Sequence, residues 1–179
     1  GAFIPTEIEA NQDPGLQIKK ASVARCLTVS ELDREILVAN MARTSGNWNS
    51  ATTIASTYQW NGGTNSDPVK DINTVIESSY GEPDGMILSG RLWNAMRRNP
   101  AVRSYYTYGG TSPGILKEAE LASLLQIPTV YVAKMKYIDT SNALSYVWGN
   151  DVVIFRKPSQ IPPTDPTDIA TAYTFRWAG

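Results

Sequence analysis

The sequence predicts an α+β protein of two lobes, one inserted into the other. Three observations lead there. The stretch from Leu16 to Thr44 carries apolar residues at helical spacing with no glycine or proline to interrupt it. From Asp67 to Trp148 the chain then reads helix, strand, helix, glycine turn, helix and strands. A passage with four prolines, RKPSQIPPTDPTD at Arg156–Asp168, forbids regular structure and precedes one last short strand.

The opening residues, GAFIPTEIEANQDPG, show neither helical nor strand periodicity. The long helix follows. Val29, Leu32, Ile36 and Ala39 fall on one face, with Val23 and Leu27 continuing the pattern upstream. Thr28 and Glu31 have the spacing of an internal capping box, which would divide this stretch into two shorter helices; the lack of any Gly or Pro favours one. Gly46–Asp67 is a polar loop through which Trp48, Tyr58 and Trp60 are spaced.

Asp67 reads as the N-cap of the next helix and Pro68 as its first residue. Val69, Ile72, Ile76 and Tyr80 would form its apolar face before Gly81 ends it. Gly85–Leu88 reads as a short buried strand. Ser89 then caps a helix carrying Leu92, Trp93 and Met96, which Asn99-Pro100 stops. The turn GGTSPG at Gly109–Gly114 leads into a helix over about 115–125. It lacks the lysine and hydroxyl of a phosphate-binding P-loop, so a flexible loop is the better account. Thr129–Tyr137 and Leu144–Phe155 are strand-like, the second divided by Gly149-Asn150, a two-residue hairpin signal. In the last strand, Ala172–Trp177, the rings of Tyr173, Phe175 and Trp177 alternate onto one face.

Composition narrows the function. With 179 residues the chain can bury a sizeable core. Sixteen basic against seventeen acidic residues give a net charge of −1, which argues against a strongly basic nucleic-acid binder. Charged residues make up 18%, low for a globular domain, and a surface poor in charge is one that expects partners. The absence of histidine removes Ser-His-Asp triads, Cys-His pairs and histidine metal sites. One cysteine, Cys26, excludes an intrachain disulfide and thiolate zinc sites, fits a reducing compartment, and is expected as a small buried hydrophobe. No apolar run approaches the ~20 residues of a membrane span and no signal peptide opens the chain, so it reads as soluble and cytosolic when made.

Six segments carry a more specific message: LDREILVAN (Leu32–Asn40), NSDPVKDINTVIES (Asn65–Ser78), MILSGRLWNAMRRNP (Met86–Pro100), GILKEAELASLLQIPTVYVAKMKY (Gly114–Tyr137), LSYVWGNDVVIFRKP (Leu144–Pro158) and YTFRW (Tyr173–Trp177). Their order and spacing resemble the major capsid proteins of tailed bacteriophages. The nearest pattern is the group in which an LDRE helix is followed by an asparagine–tryptophan loop, here GNWNS at Gly46–Ser50. The resemblance implies the Hong Kong 97-like fold: a discontinuous peripheral domain, 16–66 with 158–179, built on the long spine helix, and an inserted axial domain at 67–157. Residues 1–15 would be the remnant of an extended loop. A longer arm and most of that loop would lie upstream and more strand downstream, so the chain looks like a fragment or processed form.

The function so implied is structural. Copies of the chain would assemble into hexamers and pentamers of an icosahedral head around double-stranded DNA, with no catalysis, cofactor or metal. Scaffold, portal or decoration proteins are further candidate partners. DNA would be met only non-specifically, a membrane not at all. The location implied is the virion, after synthesis in the bacterial host cytoplasm. Some family members cross-link a lysine to an asparagine between subunits, and neither partner can be matched here. An encapsulin-type compartment shell of the same fold is one alternative. A small ligand-binding or hydrolytic α/β domain, with Trp48, Tyr58 and Trp60 as its platform, is the other.

Two sets of residues are candidates for subunit contact. Trp48, Tyr58 and Trp60 either pack back onto their own domain, meet a neighbouring subunit, or stack on a sugar or base. Arg91, Arg97, Arg98 and Arg103, interleaved with Trp93, Tyr105, Tyr106 and Tyr108, would pass for a nucleic-acid footprint, but net charge favours subunit pairing or a solvated face, as it does for Arg34 and Glu35. The expected interface set is Trp48, Trp60, Arg97, Arg98, Tyr105, Tyr106 and Tyr108.

Overall fold

The structure is a computed structural model that describes residues 5, 17–48, 51–55, 58–61, 65–106, 116–159 and 170–171. The glycine turn at 109–114 and the strand expected at 172–177 lie outside these residues, as does most of the proline-rich passage. The chain divides into two compact units, Gly1–Met41 and Ala42–Gly179.

The first unit consists, in its described part, of helix α1. This helix runs Ile18–Arg43, its last two residues falling in the second unit. It is unbroken: Thr28, the expected internal cap, instead donates its hydroxyl to the carbonyl of Ala24 one turn back (3.0 Å), as a mid-helix threonine does. Ala39 is its buried residue, whereas Val23, Leu27, Leu37 and Met41 are all exposed. Cys26 is half-buried rather than buried, because α1 carries little of its surface into a core.

The second unit is built around a three-stranded sheet in the order β2-β1-β5. Strand β1 (Gly85–Ser89) lies at its centre, parallel to β2 (Thr129–Ala133) and antiparallel to β5 (Val152–Phe155). Met86 pairs with Val130 on one side and Ile154 on the other. A strand covered on both faces must be apolar throughout, and GMILS is buried at every residue but the half-buried Ile87.

Helix α2 (Pro68–Ser78) begins as its sequence demands: Asp67 accepts the Lys70 N–H (3.1 Å) and Pro68 takes the first turn, where no donor is lost. It stops at Ser79, two residues before the expected glycine, and Tyr80 is 84% exposed instead of completing the apolar face. Ser89 Oγ accepts the Leu92 N–H (3.3 Å) and starts α3 (Gly90–Arg98). A further helix, α4 (Pro100–Tyr106), was not anticipated. Asn99-Pro100 ends one helix and begins the next, with Asn99 Oδ1 accepting the Ala101 N–H (2.9 Å) and its amide donating to Ser66 Oγ (2.7 Å) in a fully buried junction.

Helix α5 (Glu118–Leu125) starts three residues later than expected, where the Glu120 carboxylate accepts the Lys117 N–H (2.8 Å). Helices α2 to α5 and the sheet enclose one core of Trp60, Val69, Ile72, Met86, Leu88, Trp93, Met96, Val102, Leu121, Leu125 and Ile127.

Two strand expectations need correction. The run 129–137 is two strands, because the chain leaves the sheet after Ala133 and starts β3 (Lys136–Ile138) as a hairpin with β4 (Leu144–Tyr146). Gly149-Asn150 is not a hairpin turn. Its flanking strands β4 and β5 belong to different sheets, and the segment Val147–Asn150 carries the chain from one to the other with Val147 and Trp148 buried. Gly149 still does what a turn glycine does, at φ +54 with the Arg43 guanidinium packed where a side chain would project. Arg43 there pairs with Asp151 (2.5 Å) and donates to the carbonyl of Val147 (3.4 Å).

The β3–β4 turn is organised by Asp139. Its carboxylate accepts from Ser141 N–H (2.9 Å) and Oγ–H (2.6 Å), Ala143 N–H (3.0 Å) and Ser145 Oγ–H (2.9 Å).

Leu121→Ala, at a site with no exposed surface, should destabilise the chain by about 2–5 kcal/mol in chemical denaturation, against at most about 0.5 kcal/mol for the exposed Leu144→Ala. The hydroxyl of Ser141, with help from the Ala143 amide and Ser145, holds Asp139 down at about 2. A depressed carboxylate stabilises the fold above its unfolded pKa and loses that contribution as pH falls from about 4 towards about 2. Carboxyl NMR titration should find Asp139 still ionised at pH 3, and Asp139→Asn should flatten stability over that window.

Candidate functional site

The described members of the expected interface set, Trp48, Trp60, Arg97, Arg98 and Tyr105, differ in burial and in partners. Trp60 is in the core, its indole N–H donating to Asp71 Oδ2 (2.9 Å), so its ring is spent on the chain's own packing. Trp48 is half-buried and donates its indole N–H to the carbonyl of Ala42 (2.6 Å), one of the carbonyls that a helix end leaves without an intrahelical partner. Tyr58 is exposed and does not complete a platform with the two tryptophans.

Tyr105 lies on α4 and donates its hydroxyl to Asp67 Oδ2 (3.2 Å), so Asp67 caps α2 with one oxygen and anchors α4 with the other. Partial desolvation, then the Asp67 charge and this hydrogen bond, push the Tyr105 phenol above its ordinary value of 10.0. Arg98 is exposed on α3. Tyr106 ends α4, and its side chain, like all of Tyr108, lies outside the described residues.

Arg97 belongs to a concave feature. A cleft of about 520 Å³ opens between α3, the start of α5 and the β3–β4 hairpin. Gly90, Trp93, Asn94 and Arg97 form its α3 wall, following the helix's own i, i+3, i+4, i+7 spacing. Leu116, Lys117 and Glu118 form a second wall; Lys134, Lys136 and Tyr146 form the third. Gly90 allows close approach here: a Cβ at that position would lie 3.1 Å from Cε1 of Tyr146.

The cleft is strongly cationic. Arg97, Lys117, Lys134 and Lys136 face one carboxylate, Glu118. Arg97 rests over the Trp93 ring, 5.9 Å from its centroid, and Lys136 Nζ lies 4.6 Å from the centroid of Tyr146. Arg97 and Trp93 were legible in the sequence as part of a basic run interleaved with aromatics. Lys117, Lys134, Lys136 and Tyr146 were missed because three separate segments deliver them.

No protein-family model matches the chain. The α+β arrangement is that of a phage-related protein: the crystal structure of one from Bordetella bronchiseptica RB50 matches 89% of this chain and 55% of that one, with a TM-score of 0.72 at 24% identity. In sequence, the chain is similar over 98% of its length to the major capsid protein of Burkholderia phage BcepMu, 21% identical and spanning 59% of that relative. The sequence likeness agrees with the phage capsid resemblance carried by the six sequence segments.

Trp60→Phe should cost about 1.5–3 kcal/mol or more in chemical denaturation, because it removes a hydrogen bond to a charged group and part of the ring's buried apolar volume. A cost below about 0.5 kcal/mol would show that Asp71 finds water instead.

Proposed function

We propose that the chain is part of the major capsid subunit of a tailed-phage or prophage head, with the Hong Kong 97-like fold and no catalytic role. The observation that carries this reading is the similarity to a phage major capsid protein along 98% of the chain, with the fold likeness to a phage-related protein beside it. In this reading α1 is the spine helix of a peripheral domain at 16–66 with 158–179, and 67–157 is the axial domain. Copies pack as hexamers and pentamers into an icosahedral shell that encloses double-stranded DNA and becomes the virion wall.

The described surface suits that role. Val23, Leu27, Leu37 and Met41 on α1 are exposed, and Ile138 and Leu144, paired across the β3–β4 hairpin, are each about two-thirds exposed. Burying such side chains against copies supplies the apolar part of an interface. A standard contact buries about 1,600 Å² in total, so several modest contacts per subunit hold a closed shell. Among the expected contact residues that are described, Trp60 is buried in the chain's own core, whereas Arg98 and Tyr105 are exposed and Arg97 and Trp48 half-buried, which supports contact through these four. No helix among the described residues is long and apolar enough to cross a membrane.

The test is to express the complete gene product alone and examine it by electron microscopy and sedimentation velocity. Capsomer rings or closed shells are expected. A homogeneous monomer at high concentration would overturn unaided assembly.

A further inference from the structure

The cationic cleft holds one carboxylate, Glu118, against four cations. Among the described residues Arg97 and Lys136 lie on aromatic faces, and no carboxylate pairs with either, or with Lys117 or Lys134. Its surplus of three positive charges, in a chain of net charge −1, leaves −4 on the rest. The ring faces of Trp93 and Tyr146 are already covered by cations, which disfavours stacking of nucleic-acid bases and favours a ligand that brings carboxylates.

A matching acidic feature stands at the other end of β1. The turn from Glu77 to Asp84 precedes that strand, while the cleft begins at Gly90 just beyond it, so a strand of about 17 Å separates them. Glu77 and Glu82 are exposed, and Tyr80 projects between them. The turn is held in shape. Ser79 Oγ–H donates to the Ile76 carbonyl (2.7 Å), Asp84 N–H to Phe155 (3.0 Å), and Asp84 Oδ2 accepts the Lys157 N–H (2.9 Å). Two cations lie nearby, but Lys157 is engaged by Tyr131, and Arg156, packed against Gly81, is ion-paired with neither glutamate.

We propose that the cleft lined by Arg97, Lys117, Lys134 and Lys136 receives the acidic turn Glu77–Asp84 of a second copy of this chain. The inference rests on the shell-subunit reading above and names the contact that builds the capsomer. A positive cleft cannot dock on its own image, so a two-fold pairing through it is excluded. Cleft to turn is a head-to-tail contact, and such contacts close into rings when the rotation allows.

The test uses the complete gene product in four forms: wild type, Lys134→Glu with Lys136→Glu, Glu77→Lys with Glu82→Lys, and all four changes together. All four side chains are exposed, so circular dichroism and denaturation midpoints should match the wild type. Each double reversal should raise the concentration needed for half-assembly roughly tenfold or more, and the quadruple form should recover most of that loss. A mixture of the two doubles should pair, since the acidic cleft of the first fits the basic turn of the second and the unchanged cleft of the second fits the unchanged turn of the first. Wild-type assembly should also weaken from low to 1 M salt, where the screening length falls to about 3 Å. Doubles that assemble like the wild type, or a quadruple form with no recovery, would overturn this contact and leave the shell reading standing. A wild type that never assembles would overturn both.

Discussion

A five-residue strand with Met86 and Leu88 wholly removed from water has to find hydrogen bonds on both edges, because a buried amide without a partner costs as much as a lost bond. Strand β1 meets that constraint with a parallel neighbour on one side and an antiparallel one on the other. The parallel pairing needs a long crossover, and residues 90–128 provide it with three helices. Those helices send Trp93, Met96, Val102, Leu121 and Leu125 into the core that holds Met86 and Leu88. The antiparallel pairing brings back the chain's later part through the Val147–Asn150 segment, where buried Trp148 and Val147 and the left-handed Gly149 set the direction.

Buried polar contacts are few, and each sits where two elements join. Asn99 links α3 to α4 and reaches Ser66 ahead of α2; Ser89 joins β1 to α3. Asp67 does the same at lower burial, tying α2 to α4 through Lys70 and Tyr105. These side chains fix angles between elements that apolar packing alone would leave loose. The exposed pair Arg43–Asp151 is worth at most about 1 kcal/mol at its exposure and works chiefly as a positional tie.

What was legible in the sequence was local. The start of α2 is written in Asp67-Pro68, that of α3 in Ser89, and the length of α1 in its lack of Gly and Pro. Asn99-Pro100 carries the same start signal as Asp67-Pro68 but also ends α3, and reading it only as a stop hid α4. Strand pairing was not legible, because β5 selects β1 across more than sixty residues and nothing near Gly149-Asn150 records that choice. The expected interface was legible as residue types and not as a place. Trp60 was drawn into the core and Trp48 onto the end of α1, and the cleft that gathers cations draws on three walls distant in sequence.

The buried polar side chains among the described residues are Ser66, Ser89 and Asn99, all uncharged. With no histidine in the chain, no side chain has an ordinary ionisation point between pH 5 and 8, and the two groups displaced most clearly, Asp139 and Tyr105, move away from that interval. Among the described residues, the buried side chains therefore hold nothing that protons can switch across the physiological range. In the proposed shell, the described core would give a subunit no proton-driven switch between mildly acidic and neutral surroundings.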